Sequence, residues 1–132
     1  MITRLYEPKD YAEVSAWWEG HGREPVPVVL LPECAVVTID DEGNDIACVW
    51  LYQDNTCGVA WMAWQVTRPN ASAFAVARAL KIQLGAIEAI SKEQNHRYLN
   101  GITELRSLKK WFSQRGFITS CEGASTFVKV LN

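Results

Sequence analysis

The hydrophobic positions along the chain change from a two-residue period to a helical period near residue 69. Before that point, CAVVTID (34–40), DIACVWLYQ (45–53) and CGVAWMAWQVT (57–67) are rich in β-branched and aromatic residues. The polar turns that separate them, residues 41–44 and 54–56, are short. Short polar turns between such segments predict antiparallel hairpins, and therefore a three-stranded meander.

After Pro69 the apolar residues recur at steps of three and four. This spacing places them on one face of a helix of about six turns, with charged residues on the opposite face. Asn70 is the predicted N-cap. The apolar face comprises Val76, Leu80, Leu84, Ile87 and Ile90.

The remaining elements follow from shorter patterns. ITRLYE predicts a strand, Asp10 the N-cap of a helix that runs to Gly20, and the prolines of residues 23–33 an extended connector. Within that helix, Trp17 and Trp18 are adjacent, so one of them is expected on the connector or in solvent. The C-terminal part reads as a strand over 97–103, a helix over 105–115, and two strands within 117–131 joined at Glu122-Gly123.

The resulting order is β-α-β-β-β-α-β-α-β-β in a single α/β domain, residues 1–132. The long helix connects two strands, and such a crossover makes them parallel. The sheet is therefore predicted to be mixed and mostly antiparallel, with flanking helices.

Composition excludes several classes of protein. The chain has 132 residues, of which 48% are hydrophobic and 21% charged, and this is typical of a globular domain. No apolar run is long enough to cross a membrane, and the first residues lack a signal-peptide pattern, so a cytoplasmic protein is expected. The four cysteines form no C-x-x-C pair; we expect buried, reduced thiols and no metal site.

Charge is distributed unevenly along the chain. Residues 1–66 carry eleven acids and three bases, a net charge of −8, whereas residues 67–132 carry four acids and ten bases, a net charge of +6. The C-terminal half could attract an anionic ligand and the N-terminal half a cationic one; alternatively, the two halves attract each other. Without a basic run, duplex DNA is not expected as a partner.

The segment KKWFSQRGF (109–117) carries a family resemblance. A basic helix ends there at Gly116, which favours a left-handed helix terminus, and Phe117 is expected to fold back onto the core. Together with the order of elements, this ending resembles the GCN5-related N-acetyltransferase fold, whose penultimate helix closes on a pattern like F-Y-x-K-x-G-F. The matching residues are Trp111, Phe112, Ser113, Gln114, Arg115, Gly116 and Phe117.

The resemblance implies an acetyl-CoA site where the fourth strand meets the long helix. The family motif there is Q/R-x-x-G-x-G/A, in which helix N-terminal amides hold the pyrophosphate. The match is Arg68-Pro69-Asn70-Ala71-Ser72-Ala73, with Ala71 at the central glycine position. The backbone of Gln65, Val66 and Thr67 is expected to pair with the pantetheine arm. On residue chemistry alone, the same segment is equally a well-capped helix start.

The resemblance leaves the catalytic residues unassigned. Phe112 stands where family members often have a proton-donating tyrosine, and Leu105 where many have an asparagine. The strand 57–67 contains no acid to serve as the usual general base. Glu33, Asp40 and Asp45 lie on neighbouring segments, where strand-end or turn polarity explains them.

The sequence is consistent with three alternative functions. The first is an N-acetyltransferase that moves an acetyl group from acetyl-CoA to an amine of unknown identity. The second is a catalytically degenerate binding or assembly module, similar to compact phage-encoded proteins of this fold, with a protein partner or a second copy of itself. The third is a nucleotide- or RNA-contacting domain.

Six tryptophans are many for this length; alternation predicts Trp61 and Trp64 on opposite sheet faces, one in the core and one in an acceptor groove or interface.

Overall fold

The structure is a computed structural model that describes residues 1–103 and 105–131. It contains five strands and three helices in these residues. The strands are β1 (Ile2–Leu5), β2 (Ala35–Ile39), β3 (Asp45–Gln53), β4 (Val59–Thr67) and β5 (Tyr98–Gly101). The helices are α1 (Tyr11–Gly20), α2 (Ala73–Glu93) and α3 (Arg106–Ser113), and short 3-10 turns occupy Pro8–Asp10 and Val28–Leu30.

The chain divides into two compact units, residues 1–102 and 103–132. The first unit holds one sheet in the order β1-β2-β3-β4-β5. The pairs β1–β2, β2–β3 and β3–β4 are antiparallel, and β4–β5 is parallel across the α2 crossover. The predicted mixed α/β sheet is therefore confirmed, whereas the single domain over 1–132 stays a prediction.

One face of the sheet packs on α1. Both Trp17 and Trp18 are buried there, and the Trp18 ring stacks on Trp50 of β3 with centroids 5.4 Å apart. Val26 of the proline-rich connector joins the same cluster. Of the two placements expected for one of these tryptophans, exposure to solvent is wrong, because both rings are buried in a cluster that includes Val26 of the connector.

The opposite face packs on α2. Leu80, Leu84 and Ile87 are buried, as the helical period predicted. Gln83 is also fully buried, and its amide donates to the main-chain oxygen of Val36 at 3.1 Å. This bond satisfies a polar group inside the helix–sheet interface, where an unpaired amide would be costly.

Of the two predicted N-caps, Asn70 is wrong, and Asp10 occupies the N-cap position of α1 without capping it through its side chain. The side chain of Ser72, rather than Asn70, accepts the N–H of Ala75 at 3.2 Å and caps α2. Asp10 immediately precedes α1, but its carboxylate binds the guanidinium of Arg4 at 2.8 and 3.0 Å and makes no cap bond to the helix. A charged partner on β1 thus outcompetes the helix amides for this carboxylate.

In the second unit, α3 ends at the left-handed glycine that its sequence predicts, whereas the packing of Phe117 onto the core stays a prediction. Gly116 adopts a left-handed conformation with φ of 84°, and the N–H of Phe117 donates to the oxygen of Phe112 at 3.2 Å. The Phe117 ring lies on the Phe112 ring with centroids 5.0 Å apart. This bond and this contact are those expected between the residue after a terminal glycine and the last turn of its helix.

The two strands predicted within 117–131 are absent from that range, which contains no helix or strand. Ile118, Phe127, Val128, Val130 and Leu131 are all exposed. Alternating residues favour an extended backbone, but a strand forms only where a neighbouring strand supplies hydrogen-bond partners. Within the described residues, this segment pairs with none.

Candidate functional site

Strand β4 loses one of its two neighbours half-way along its length. Its parallel pairing with β5 runs only from Val59–Tyr98 to Met62–Gly101. Beyond that point β4 remains paired with β3 on its other side. Among the residues that the structure describes, Ala63 to Thr67 therefore form a strand edge without a partner strand. An edge of this kind presents main-chain N–H and C=O groups to an extended ligand.

The same part of β4 carries a β-bulge. Trp50 pairs with Ala63 and Cys48 with Val66, so Val49 faces two residues, Trp64 and Gln65. Trp64 adopts φ of 59°, a left-handed conformation that is a genuine outlier for a bulky residue. A bulge bends its strand locally and redirects a side chain.

The bulge places Trp64 on the same face as Trp61. Trp61 lies opposite Tyr52 in the β3–β4 ladder, so these two side chains share a face. The Trp64 indole N–H donates to the Tyr52 hydroxyl at 2.7 Å. The predicted opposite placement of Trp61 and Trp64 is therefore wrong, because the bulge breaks the two-residue alternation between them.

Helix α2 begins a few residues after this edge. Asn70 has φ of 64°, and the N–H of Ala71 donates to the oxygen of Arg68 at 3.4 Å, which closes a tight turn. The N–H groups of Ser72, Ala73 and Phe74 have no acceptor among residues 1–103 and 105–131. Such free amides at a helix N-terminus favour an anion.

The guanidinium of Arg68 is held by residues on the β2–β3 side. It donates to a carboxylate oxygen of Asp40 at 2.9 Å and to the main-chain oxygen of Asp45 at 3.2 Å. The Asn44 N–H, together with Arg68, lowers the pKa of Asp40, so this carboxylate is ionised at neutral pH. Arg68 therefore anchors the turn before α2.

The structure places the predicted site residues on one continuous segment, from β4 through the turn to α2. Gln65 points its amide at Gln83 of α2, 3.0 Å away, and the Val66 side chain is buried in the core on the α1 face. Ala71 is half-buried and Ala73 exposed. The set comprises Gln65, Val66, Thr67, Arg68, Asn70, Ala71, Ser72 and Ala73.

Sequence reasoning missed the role of His21. Its Nε2 lies 2.8 Å from the main-chain oxygen of Thr67, so the loop after α1 touches the end of β4. Gly20 is equally close: a Cβ built on it would lie 2.5 Å from Cγ of Pro69. The Gly-His-Gly sequence gave no sign of this partner, which lies 46 residues away.

No general base emerges from the neighbouring acids. Asp40 is paired with Arg68, and Asp45 lies 2.6 Å from Arg4. Glu33 is exposed. Burial, together with Asp45 and Asp10, raises the pKa of Glu13 on α1.

The thiols offer no obvious nucleophile either. Burial strongly raises the pKa of the Cys48 thiol, which keeps it protonated. All four cysteines are free; however, Cys34 is only half-buried, and Cys57 and Cys121 are exposed, so the expectation of buried thiols holds for Cys48 alone. Within the described residues, no group of three or more His, Cys, Asp or Glu side chains could hold a metal ion.

A separate surface cavity of about 640 Å³ lies at the amino end of β4. It is lined by residues 54–58 together with Gln94, Asn95, Arg97 and Tyr98. The unpaired edge and the α2 amides lie at the other end of β4, so this cavity is not part of the candidate site. In the described part of the chain, no helix is both long and apolar enough to cross a membrane.

Comparison with known proteins gives matches by structure alone. No protein-family profile matches the sequence, and no curated protein is significantly similar to it. The fold is similar to that of a Trypanosoma brucei acetyltransferase, with a TM-score of 0.66 and 16% identity over 96% of this chain and 98% of that one. It is also similar to a probable acetyltransferase, with a TM-score of 0.71 and 10% identity over 100% and 99%.

A third similar structure is N-acetylglutamate synthase from Neisseria gonorrhoeae, complexed with coenzyme A and N-acetyl-glutamate. The TM-score is 0.67 and the identity 16%, over 92% of this chain and 30% of that chain. At identities this low, the structural similarity establishes the fold and not the activity. The chain has the GCN5-related N-acetyltransferase fold.

Proposed function

We propose that this protein binds an acyl-coenzyme A at the junction of β4 and α2 and transfers the acyl group to an amine. One observation carries the proposal: an unpaired strand edge, Ala63 to Thr67, leads directly to a helix start with three free amides. An extended arm ending in a pyrophosphate matches this succession of groups.

The strand edge suits the amide-containing pantetheine arm. Its main-chain groups at Gln65 and Val66 would pair with the arm as an added strand would. The oxygen of Thr67 is already engaged by His21 at 2.8 Å, so it is fixed in position and less available. The edge thus offers its best contacts before Thr67.

The helix start suits the pyrophosphate. The amides of Ser72, Ala73 and Phe74 and the positive end of the α2 dipole both favour negative charge. The small side chains of Ala71 and Ala73 leave the backbone approachable. One similar structure, the N-acetylglutamate synthase, is a complex with coenzyme A, which supports a cofactor of this class.

When bound, the thioester supplies an activated acyl carbon: the C–N bond to the amine forms, the C–S bond breaks, and the amine proton leaves with the thiol. The contribution of this chain is positioning, since β4 carries no acid and Asp40 and Asp45 are both paired. Fixing a neutral amine beside the acyl carbon accelerates transfer without a dedicated base. No side chain is assigned a catalytic role.

Thermal unfolding with increasing acetyl-CoA or coenzyme A tests the cofactor site, because a ligand of the native state raises the melting temperature. Ala73→Glu places a negative charge at the helix start, where the dipole tolerates it but the pyrophosphate does not. Ala89→Glu makes the same change sixteen residues along α2, about 24 Å away. We expect the melting temperature to rise to a plateau with added ligand in the unmodified protein and in Ala89→Glu, and not to change in Ala73→Glu. Equal rises in all three proteins would contradict a cofactor site at the start of α2.

A catalytically degenerate binding module is the second candidate, and two observations favour it. Ala71 stands at the central glycine position of the motif that would hold the pyrophosphate, and Phe112 has no proton to donate to a leaving thiolate. Release of free thiol from acetyl-CoA across a panel of amines separates the candidates. A saturable cofactor shift without thiol release would support the binding module over the transferase.

A further inference from the structure

Helix α2 carries a fully buried glutamine in its apolar face. Gln83 lies among Leu80, Leu84 and Ile87, between the helix and the sheet. Replacing a buried hydrogen-bonded pair by apolar groups of the same shape can be nearly neutral for stability. Stability alone therefore does not explain a glutamine at this position.

Both ends of the Gln83 amide are hydrogen-bonded, and in a single orientation. Its Nε2 donates to the main-chain oxygen of Val36 on β2 at 3.1 Å, and its Oε1 accepts from Nε2 of Gln65 on β4 at 3.0 Å. The opposite orientation would bring Oε1 against the Val36 oxygen, and neither of these atoms can donate. Gln83 therefore links β2 to β4 across β3.

The bond between Gln65 and Gln83 requires the β-bulge of β4. Ala63 lies opposite Trp50, whose ring stacks on Trp18 of α1, so Ala63 is on the face of the sheet that packs on α1. Strict alternation from Ala63 would place Gln65 on that same face, away from α2. The bulge adds one residue to β4, and Gln65 reaches α2 instead.

The bulged register determines which groups the unpaired edge presents. Along a strand, main-chain N–H and C=O groups of successive residues point alternately to the two sides. A slip of one residue between Ala63 and Thr67 would therefore turn toward β3 the groups that now face the free side. The bulged register holds Trp64 at φ of 59°, which costs conformational free energy and needs a compensating contact. The bond from Gln65 to Gln83 supplies one such contact.

We propose that Gln83 is a positioning residue for the cofactor: it selects the bulged register of β4 and thereby orients the edge groups that pair with the pantetheine arm. Because Gln83 is fully buried, it acts through Gln65 and not by contact with the ligand. The effect on the cofactor rests on the proposed acyl-CoA site, whereas the selection of the register does not.

Three variants and one control test this role. Gln83→Met fills a similar volume without the amide bonds. Gln65→Met removes the same bond from the strand side, and the double variant shows whether the two residues act together. Leu84→Met is the matched control, because it places a methionine on the same buried face of α2 and leaves the bond intact.

Two measurements separate the register from the cofactor site. Amide exchange of Gln65 and Val66, in the full-length protein without ligand, reports on the order of the bulge. Calorimetric titration compares acetyl-CoA with ADP, which contains a pyrophosphate but lacks the pantetheine arm. A change confined to the strand edge should affect acetyl-CoA and spare ADP.

We expect amide exchange at Gln65 and Val66 to become about tenfold faster in Gln83→Met and in Gln65→Met, with melting temperatures lower by only a few degrees. Acetyl-CoA should bind about tenfold more weakly to both variants, and ADP as it binds to the unmodified protein. The double variant should match the single ones. Leu84→Met should match the unmodified protein in every measurement.

Unchanged exchange at Gln65 and Val66 in Gln83→Met would overturn the selection of the register. Equal weakening of acetyl-CoA and ADP, or weaker acetyl-CoA binding in Leu84→Met as well, would overturn the positioning role, because the whole site would then be disturbed. An unmodified protein that binds neither ligand would overturn the proposed acyl-CoA site and the positioning role with it. Amide exchange would still decide whether Gln83 selects the register.

Discussion

The Nε2 atom of His21 lies 2.8 Å from the main-chain oxygen of Thr67. This contact joins the loop after α1 to the last residue of β4, directly before the turn that leads to α2. The adjacent Gly20 packs against Pro69 in that turn. The position of the α2 amides therefore depends on a loop that is distant in sequence.

We expect His21→Ala to weaken acetyl-CoA binding while the protein remains folded. An exposed hydrogen bond contributes about 1 kcal/mol or less, so the melting temperature should fall by only a few degrees. Loss of the restraint on Thr67 should lower the cofactor affinity about threefold to tenfold. His21→Gln, whose amide can also donate, serves as the matched variant. An unchanged affinity in His21→Ala would show that the loop does not position the site.

Gly20→Ala should destabilise the protein. The added Cβ would lie 2.5 Å from the Pro69 ring, which cannot move away as a flexible side chain would. Overpacking of this kind costs about 1–3 kcal/mol. Gly85→Ala, within α2 and with no atom within 4 Å of the new Cβ, should instead stabilise by up to about 1 kcal/mol. Chemical unfolding of both variants measures the difference, and similar stabilities would contradict the close packing at Pro69.

The Arg4–Asp10 pair should make stability depend on acid pH. Burial alone would raise the pKa of Asp10, but the Arg4 guanidinium and the Glu7 N–H outweigh it and lower the pKa below the usual 3.8. A lowered native pKa stabilises the fold above the ordinary aspartate pKa and loses that contribution as pH falls through the native value.

Asp10→Asn should therefore be less stable than the unmodified protein at pH 7. The difference between their free energies of unfolding should become smaller below about pH 4. Urea unfolding of both proteins from pH 7 to pH 2.5 measures this difference. Glu42→Gln, which changes an exposed carboxylate in the β2–β3 turn, controls for net charge. A difference in unfolding free energy that stays constant from pH 7 to pH 2.5 would show that protonation of Asp10 does not affect stability.

Gly116→Ala should destabilise the end of α3. The residue has φ of 84°, and a Cβ there costs roughly 1–2 kcal/mol. Gly116→Asn should cost less, because asparagine tolerates the left-handed region. Amide exchange of Phe117, whose N–H bonds to Phe112, reports on this terminus in the full-length protein. Equal exchange in all three proteins would mean that the cap contributes nothing.

The periodic segments of the sequence predicted most of the sheet and its long helix. The meander appears as β2, β3 and β4, and the helical period appears as α2 with Leu84 and Ile87 buried. These elements were predictable because a two-residue or a 3.6-residue repeat records which side chains face the core. The glycine-terminated end of α3 was equally predictable, since Gly116 and Phe117 interact with residues of the same turn.

Other features could not be read from the sequence because partners distant along the chain determine them. Asp10 makes no cap bond to α1, because its carboxylate binds Arg4 and the Glu7 N–H, and Thr67 is held by a histidine 46 residues away. The bulge at Trp64 reverses the face that alternation predicted. Strands do not form over 117–131, where no partner strand is present among the described residues.

The sequence by itself predicted the helices and strands up to α3, their order and the candidate segment from Gln65 to Ala73. Tertiary structure alone decided how β4 leaves β5, which amides of α2 stay free and where the two indoles point. The physical reason is that periodicity records the burial of each residue, whereas strand register and hydrogen-bond partners depend on which segments meet.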